Sequence, residues 1–153
     1  SKLTYTIVNS SNQTVSSIDT SKGGTYTIKY SVSSSTGKTA SNTRTVTITD
    51  LSAPTVSTNG VTEISVNASD SKAVKEEAIK NGVTFKTQNG TTLTDWSYEI
   101  YLMNQGQVVG NAISIDSLTA GQTYRVYLYC KNPNSGVTSA RNEQTGYRNI
   151  TVR

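Results

Sequence analysis

Apolar and polar residues alternate strictly between residues 24 and 33. The apolar positions are Tyr26, Ile28, Tyr30 and Val32. The positions between them hold threonine, lysine and serine. A period of two is typical of a β-strand that buries one face and exposes the other to water. We therefore predict a strand here, with Tyr26 and Tyr30 as structural residues on its inner face.

The same alternation predicts three further strands in the first part of the chain. They cover residues 3–8, 15–18 and 44–49. The polar stretch 33–41 contains Gly37 and predicts the loop of a hairpin. Pro54 then interrupts the pattern, and proline cannot donate a hydrogen bond to a β-ladder. We therefore predict that a first module ends near residue 50 and that a second module spans residues 54–153.

Alternation resumes in the second module at residues 96–103 and 123–131. Trp96 begins the first of these stretches, and Tyr124 lies at the start of the second. Both fall on the side that carries the aliphatic residues. We therefore predict that both rings are structural residues in a core between two packed sheets.

One helix is predicted in this otherwise β-rich chain, within the sequence DSKAVKEEAIKNG at residues 70–82. Asp70 or Ser71 can cap its first turn, and Gly82 supplies a C-terminal stop. A turn at Asn89-Gly90 follows. These inserted elements would either carry a function or cover an exposed sheet edge.

Composition excludes several classes of function. Histidine is absent and there is a single cysteine, so neither histidine-activated nucleophiles nor the usual zinc sites are available. The net charge is +4, but the 14 lysines and arginines are scattered, whereas nucleic-acid binders concentrate them on one face. No apolar run has the length of a membrane span. We therefore predict a non-enzymatic protein with no cofactor, no metal site, no nucleic-acid partner and no membrane span.

Three tyrosines are predicted on the outward face of the second module. Tyr101 lies between two residues that face inward, so its own side chain points outward. The same holds for Tyr127 and Tyr129 on a neighbouring strand. Together with Arg125 and Lys131 they form the candidate ligand-binding surface, since exposed aromatic residues beside charges are typical of recognition surfaces. Two alternatives stay open: the tyrosines form cross-strand pairs, or the predicted helix covers them.

Residues 18–50 resemble the closing strands of the immunoglobulin-like repeats of bacterial cell-surface proteins. The segments IDTSKGGTYTIKYSV and TGKTASNTRTVTITD carry this resemblance. It implies that residues 1–50 form a bacterial Ig-like domain. Fifty residues are short for such a repeat, and whether this domain is complete stays open.

The second module is similar to a fibronectin type III domain. The segment LTAGQTYRVYLYCKNPNSG, at residues 118–136, resembles the part of that family that leads into the sixth strand. The resemblance implies that Tyr124 forms a tyrosine corner, with its hydroxyl bonded back to the backbone. It also implies that Trp96 is the core aromatic residue of the third strand.

The predicted fold class is therefore all-β, with two tandem Ig-like or fibronectin type III-like β-sandwich modules, the second with one short helix. We predict non-catalytic structural or interaction modules of a bacterial cell-surface or secreted protein, acting as a stalk or an adhesin. The alternative is a carbohydrate-binding or accessory module of a larger secreted enzyme, and a phage virion module also stays open. Expected partners are a glycan or protein of the cell wall or host surface, and flanking domains of the parent chain. The expected location is extracellular, at the bacterial cell surface.

Overall fold

A computed structural model describes residues 2–153. The chain divides into two compact units, Ser1–Leu51 and Ser52–Arg153. Both units are built from β-sheets, with one α-helix in the part of the chain that the structure describes. The predicted all-β fold class is confirmed.

The first unit is a single antiparallel sheet in the order β2-β1-β3-β4. Its strands are β1 Lys2–Val8, β2 Thr14–Val15, β3 Gly24–Ser33 and β4 Thr39–Ile48. The predicted hairpin loop is shorter than expected, because β4 begins at Thr39. Gly37 adopts φ +77°, which allows a tight turn closed by a 2.8 Å hydrogen bond from the Ser34 amide to the Lys38 carbonyl.

The apolar side chains of β1 and β3 share one face of this sheet. Tyr5 lies directly opposite Tyr30 in the register, and their ring centroids are 6.4 Å apart. Tyr26 is half-buried, and its hydroxyl accepts a hydrogen bond from the Asp19 amide at 3.3 Å. Leu3 and Tyr5 remain 65% and 63% exposed, because residues 2–51 provide no second layer over this end of the face.

The second unit has a five-stranded sheet and a two-stranded sheet. Its elements are β5 Thr55–Ser57, β6 Glu63–Val66, α1 Lys72–Lys80, β7 Thr84–Lys86, β8 Trp96–Asn104, β9 Gln107–Ile113, β10 Thr123–Cys130 and β11 Tyr147–Val152, with a 3-10 turn at Ile115–Ser117. The larger sheet has the order β6-β11-β10-β8-β9, and β5 pairs with β7. All neighbouring strands in the larger sheet are antiparallel except β6 and β11, which are parallel.

The helix α1 is part of the core of the second unit. Ser71 caps its first turn by accepting a hydrogen bond from the Val74 amide. Ile79 is fully buried in the same cluster as Ile100, Val126 and Ile150 of the larger sheet. The helix therefore covers the inner face of that sheet. The alternative in which it covers the outward tyrosines is wrong, because its buried face, which carries Ile79, is directed to the core.

Arg148 on β11 holds the C-terminal end of α1, although its side chain is only 1% exposed. Its guanidinium donates to the carbonyls of Ala78 and Ile79 at 2.9 Å and of Asn81 at 2.6 Å. A fourth bond goes to the carbonyl of Val61 at 3.1 Å. The last carbonyls of a helix lack partners within the helix and carry partial negative charge. Backbone oxygens thus replace a carboxylate as the partner of this buried cation.

Candidate functional site

Tyr124 and Trp96 lie on the inner side of the larger sheet. The Tyr124 side chain is 3% exposed, and its hydroxyl accepts a hydrogen bond from the Thr119 amide at 3.0 Å. This bond joins the start of β10 to the residues just before it, as the tyrosine-corner resemblance implies. Trp96 is half-buried and stacks on Phe85, with ring centroids 5.9 Å apart.

The three outward tyrosines, Tyr101, Tyr127 and Tyr129, lie together and form what we call the tyrosine face. They meet because β8 and β10 are antiparallel neighbours, with Tyr101 opposite Arg125 and Glu99 opposite Tyr127. The rings of Tyr101 and Tyr127 pack edge to face at 5.8 Å. Two tyrosines of this face therefore contact each other across the sheet, which is the first of the alternatives left open above.

Arg141 packs on the outer side of the tyrosine face. Its guanidinium lies 4.2 Å from the centroid of the Tyr127 ring and 5.0 Å from that of Tyr101. It also donates to the Glu99 carboxylate at 2.8 Å and to the Tyr129 hydroxyl at 3.2 Å. Aromatic packing and charge-assisted hydrogen bonds thus converge on one side chain, which anchors the segment between β10 and β11 to the sheet.

Tyr127 is buried, with 2% of its surface exposed. Its hydroxyl donates to the Glu143 carboxylate at 2.8 Å. The prediction that Tyr127 lies on an exposed surface is wrong, because residues 131–146 fold back over it. Alternation along a strand identifies the face on which a side chain lies, but it does not tell whether a loop covers that face.

Arg125 and Lys131 occupy different places relative to the tyrosine face. Arg125 lies 4.5 Å above the Tyr147 ring, donates to the Asn149 side chain at 3.0 Å and is 3.8 Å from the Glu143 carboxylate. Lys131 is exposed at the end of β10. The structure therefore joins Arg125 to the same segment as Tyr127, whereas Lys131 lies at the strand end. Arg141 and Glu143, which complete the cluster, were missed because nothing in the local sequence places a loop residue over a strand.

The electrostatics of the tyrosine face follow from these hydrogen bonds. The bond from the Tyr129 hydroxyl, and then those from Arg141, hold the pKa of Glu99 below its usual range. Burial is the main cause that raises the pKa of Tyr127, and likewise that of Tyr129. The carboxylate of Glu99 thus stays ionised and the tyrosines stay protonated at neutral pH. This arrangement stabilises the loop.

The ion pair between Glu99 and Arg141 predicts a pH-dependent contribution to stability. Because the pKa of Glu99 is lowered on folding, its contribution is present above the unfolded value of about 4.3 and is lost as the pH falls through the folded value. Glu99→Gln is therefore expected to destabilise the second unit at neutral pH, and this loss should become smaller as the pH falls below the unfolded value and Glu99 of the parent chain is itself protonated. Urea unfolding of both proteins, followed by the fluorescence of Trp96, measures this difference.

The matched control is Glu77→Gln, which removes the charge of an exposed glutamate on α1. Its effect should be small at neutral pH, as is typical for an exposed helix pair. A destabilisation by Glu99→Gln that does not shrink as the pH is lowered would contradict the predicted role of the ionised carboxylate.

A second candidate site is a cleft beside Trp96, of about 360 Å³. Phe85, Leu93 and Trp96 form its apolar side, and the C-terminal end of α1 forms its other wall. We call this the Trp96 cleft. The sequence identified Trp96 as a core aromatic residue and did not predict a cavity, because the opposite wall comes from α1, which precedes Trp96 by more than ten residues.

Within residues 2–153, no group of three or more acidic, histidine or cysteine side chains is arranged to hold a metal ion. Over the same residues, no helix combines the length and the apolar character needed to cross a membrane. Cys130 is 1% exposed, and burial raises the pKa of its thiol.

Comparison with known proteins concerns the first unit. No curated protein matches the chain. Residues 7–48 match the family described as "Bacterial surface protein, Ig-like domain", and this range covers most of the sheet from β1 to β4. This match confirms the resemblance seen in the sequence of the first module. The first unit is similar to the Ig-like modules of bacterial surface proteins.

Proposed function

We propose that this chain is a non-catalytic, load-bearing spacer within a bacterial surface protein. The observation that carries the proposal is the parallel pairing of β6 with β11 in the second unit. β6 is the first strand of the larger sheet along the chain, and β11 is the last. The similarity of the first unit to surface-protein modules supports the part of the proposal that places the chain in a bacterial surface protein.

Parallel strands at the two ends of a module resist force by shear. When the ends of the second unit are pulled apart, β6 is drawn toward its own start and β11 toward its own end. These directions are opposite, so the hydrogen bonds between the strands are loaded together. The bonds that flank this pair run from the Asn149 amide to the Thr62 carbonyl at 2.7 Å and from the Arg153 amide to the Val66 carbonyl at 2.9 Å.

The tyrosine face also supports a structural role. The hydroxyls of Tyr127 and Tyr129 already donate to Glu143 and Glu99, at 2.8 Å and 2.7 Å. A ligand at this face would have to displace Arg141, which is itself bonded to Glu99 and packed on two rings. Because internal bonds use these groups, they serve better to brace the segment between β10 and β11 than to bind a partner. The carbohydrate-binding alternative is better supported at the Trp96 cleft.

Single-molecule pulling on the full chain tests the spacer proposal. In the first geometry, handles at the two chain ends load β6 and β11 in shear. In the second, a handle on Ser69→Cys, just beyond β6, and one at the C-terminus pull both strands from the same end and separate their bonds one by one. The buried thiol of Cys130 leaves the introduced cysteine as the accessible attachment point.

The second unit is expected to unfold at a markedly higher force in the first geometry. Unfolding at the same force in both geometries would show that the β6–β11 pair bears no special load. The spacer proposal would then lose the observation that carries it.

A further inference from the structure

The apolar side of the Trp96 cleft is a continuous aromatic surface. The rings of Trp96 and Phe85 stack at 27° with centroids 5.9 Å apart, and Leu93 lies beside them. Phe85 and Leu93 are each 7% exposed, whereas Trp96 is only half-buried. The indole therefore carries the solvent-facing part of this surface.

The rim of the cleft is polar. Glu77, Lys80 and Asn81 contribute from the end of α1. Thr84, on β7, and Thr94, just before β8, contribute from the opposite side. Hydrogen-bonding groups thus surround an aromatic floor, and this combination is typical of sites for small ligands.

The charges on the rim balance each other. The Lys80 ammonium lies 2.9 Å from the Glu77 carboxylate. A phosphate or another anion would have to compete with this carboxylate for Lys80. The rim therefore favours an uncharged ligand, toward which Lys80 can donate and Glu77 can accept hydrogen bonds.

We propose that the Trp96 cleft binds one neutral sugar ring. A pyranose has an apolar face of C–H groups and a perimeter of hydroxyls, which match the indole and the rim respectively. The cleft volume of about 360 Å³ is near the lower end of the range of about 300–1,000 Å³ for ligand pockets, as expected for a ligand of this size. An aliphatic side chain of a protein partner would match the floor but would leave the hydrogen-bonding groups of the rim unused.

The wall of the cleft is held in place before any ligand binds. The guanidinium of Arg148 bonds the carbonyl of Asn81 on the rim at 2.6 Å. The Asn59 side chain donates to the carbonyl of the adjoining Gly82 at 2.7 Å. A wall that is already ordered reduces the conformational entropy lost on binding.

Trp96 provides a direct test, because it is the single tryptophan of the chain. The full chain is titrated with the methyl glycosides of glucose, galactose, mannose and N-acetylglucosamine, and indole emission is recorded. A saturable change in emission with at least one of the four sugars is expected. The absence of a saturable change with all four would overturn the proposal.

Rim variants then locate the binding site. Lys80→Met is expected to weaken binding by about tenfold, as for the loss of one hydrogen bond to a charged group. Thr94→Val, which removes a rim hydroxyl with little change in shape, should also weaken it. Lys72→Met, at the opposite end of α1, is the matched control and should leave the affinity unchanged. Saturable binding that Lys80→Met and Thr94→Val do not weaken would place the sugar elsewhere and overturn the assignment to this cleft.

This proposal is independent of the spacer proposal. The cleft lies between α1 and β7–β8, whereas the load-bearing pair is β6–β11. Pulling experiments test the β6–β11 pair, and the fluorescence titration tests the Trp96 cleft. A negative result in one experiment therefore does not contradict the other proposal.

Discussion

Replacing Arg148 with methionine is expected to lower the free energy of unfolding of the second unit by on the order of 4 kcal/mol. Methionine preserves much of the apolar stem but removes the donors to four backbone carbonyls, three of which lie at the end of α1. The carbonyl of the buried Ile79 would then lack a partner, and the end of α1 would lose its bonds to β11. Burial lowers the pKa of Arg148, because a buried site disfavours a charged group. The hydrogen bonds to the carbonyls stabilise the guanidinium charge in this site.

Urea unfolding followed by Trp96 fluorescence measures this loss, because the tryptophan lies in the second unit. Arg153→Met is the matched control, since Arg153 is exposed at the end of the same unit. Arg148→Lys keeps the charge but has fewer donors, so it should lie between the parent chain and Arg148→Met. If Arg148→Met lowered the free energy of unfolding no more than Arg153→Met does, the role of the Arg148 guanidinium in stabilising the end of α1 would be contradicted.

Truncating Ile79 to alanine is expected to destabilise the second unit by about 3 kcal/mol, within the range for large-to-small changes in protein cores. Ile79 is fully buried against the larger sheet, and the rigid strands opposite it cannot close the resulting cavity. The result would show that α1 is a structural layer of the module. The thermal midpoint should fall together with the urea midpoint.

Val74→Ala is the control for this experiment, because Val74 lies on the same helix but is 53% exposed. The change from valine to alanine slightly improves helix propensity, so the control should alter stability by less than about 0.5 kcal/mol. Equal losses for Ile79→Ala and Val74→Ala would contradict the assignment of α1 to the core.

Much of the fold was predictable from local patterns. The strand at residues 24–33 coincides with β3, because alternation with a period of two extends over its full length. The helix coincides with α1 between its cap at Ser71 and Gly82, which adopts φ +72°. By contrast, the strand predicted at residues 44–49 begins earlier, at Thr39, because its first half is polar on both faces and is held by backbone pairing with β3.

The candidate sites were less predictable. The sequence correctly grouped Tyr101, Tyr127 and Tyr129 on one sheet face, since the register of neighbouring strands follows from their inward residues. It did not reveal that Arg141 and Glu143 cover that face, because loop residues carry no periodic pattern. On α1, Glu76 lies near Lys72 and accepts a hydrogen bond from the Tyr98 hydroxyl, and Glu77 pairs with Lys80.

The amino-acid sequence alone was therefore enough to identify an all-β protein, the strand faces, the capped helix and the similarity to bacterial surface modules. The strand faces and the helix depend on short-range periodicity and on turn and cap residues, which act within a few positions of the chain, whereas the similarity depends on residues that match the pattern of a known family. Only the tertiary structure decided that α1 lies in the core, that Arg148 secures its end and that the tyrosine face is closed. It also decided that a cleft opens beside Trp96. Such features bring together residues that are tens of positions apart, and their geometry depends on how whole elements pack.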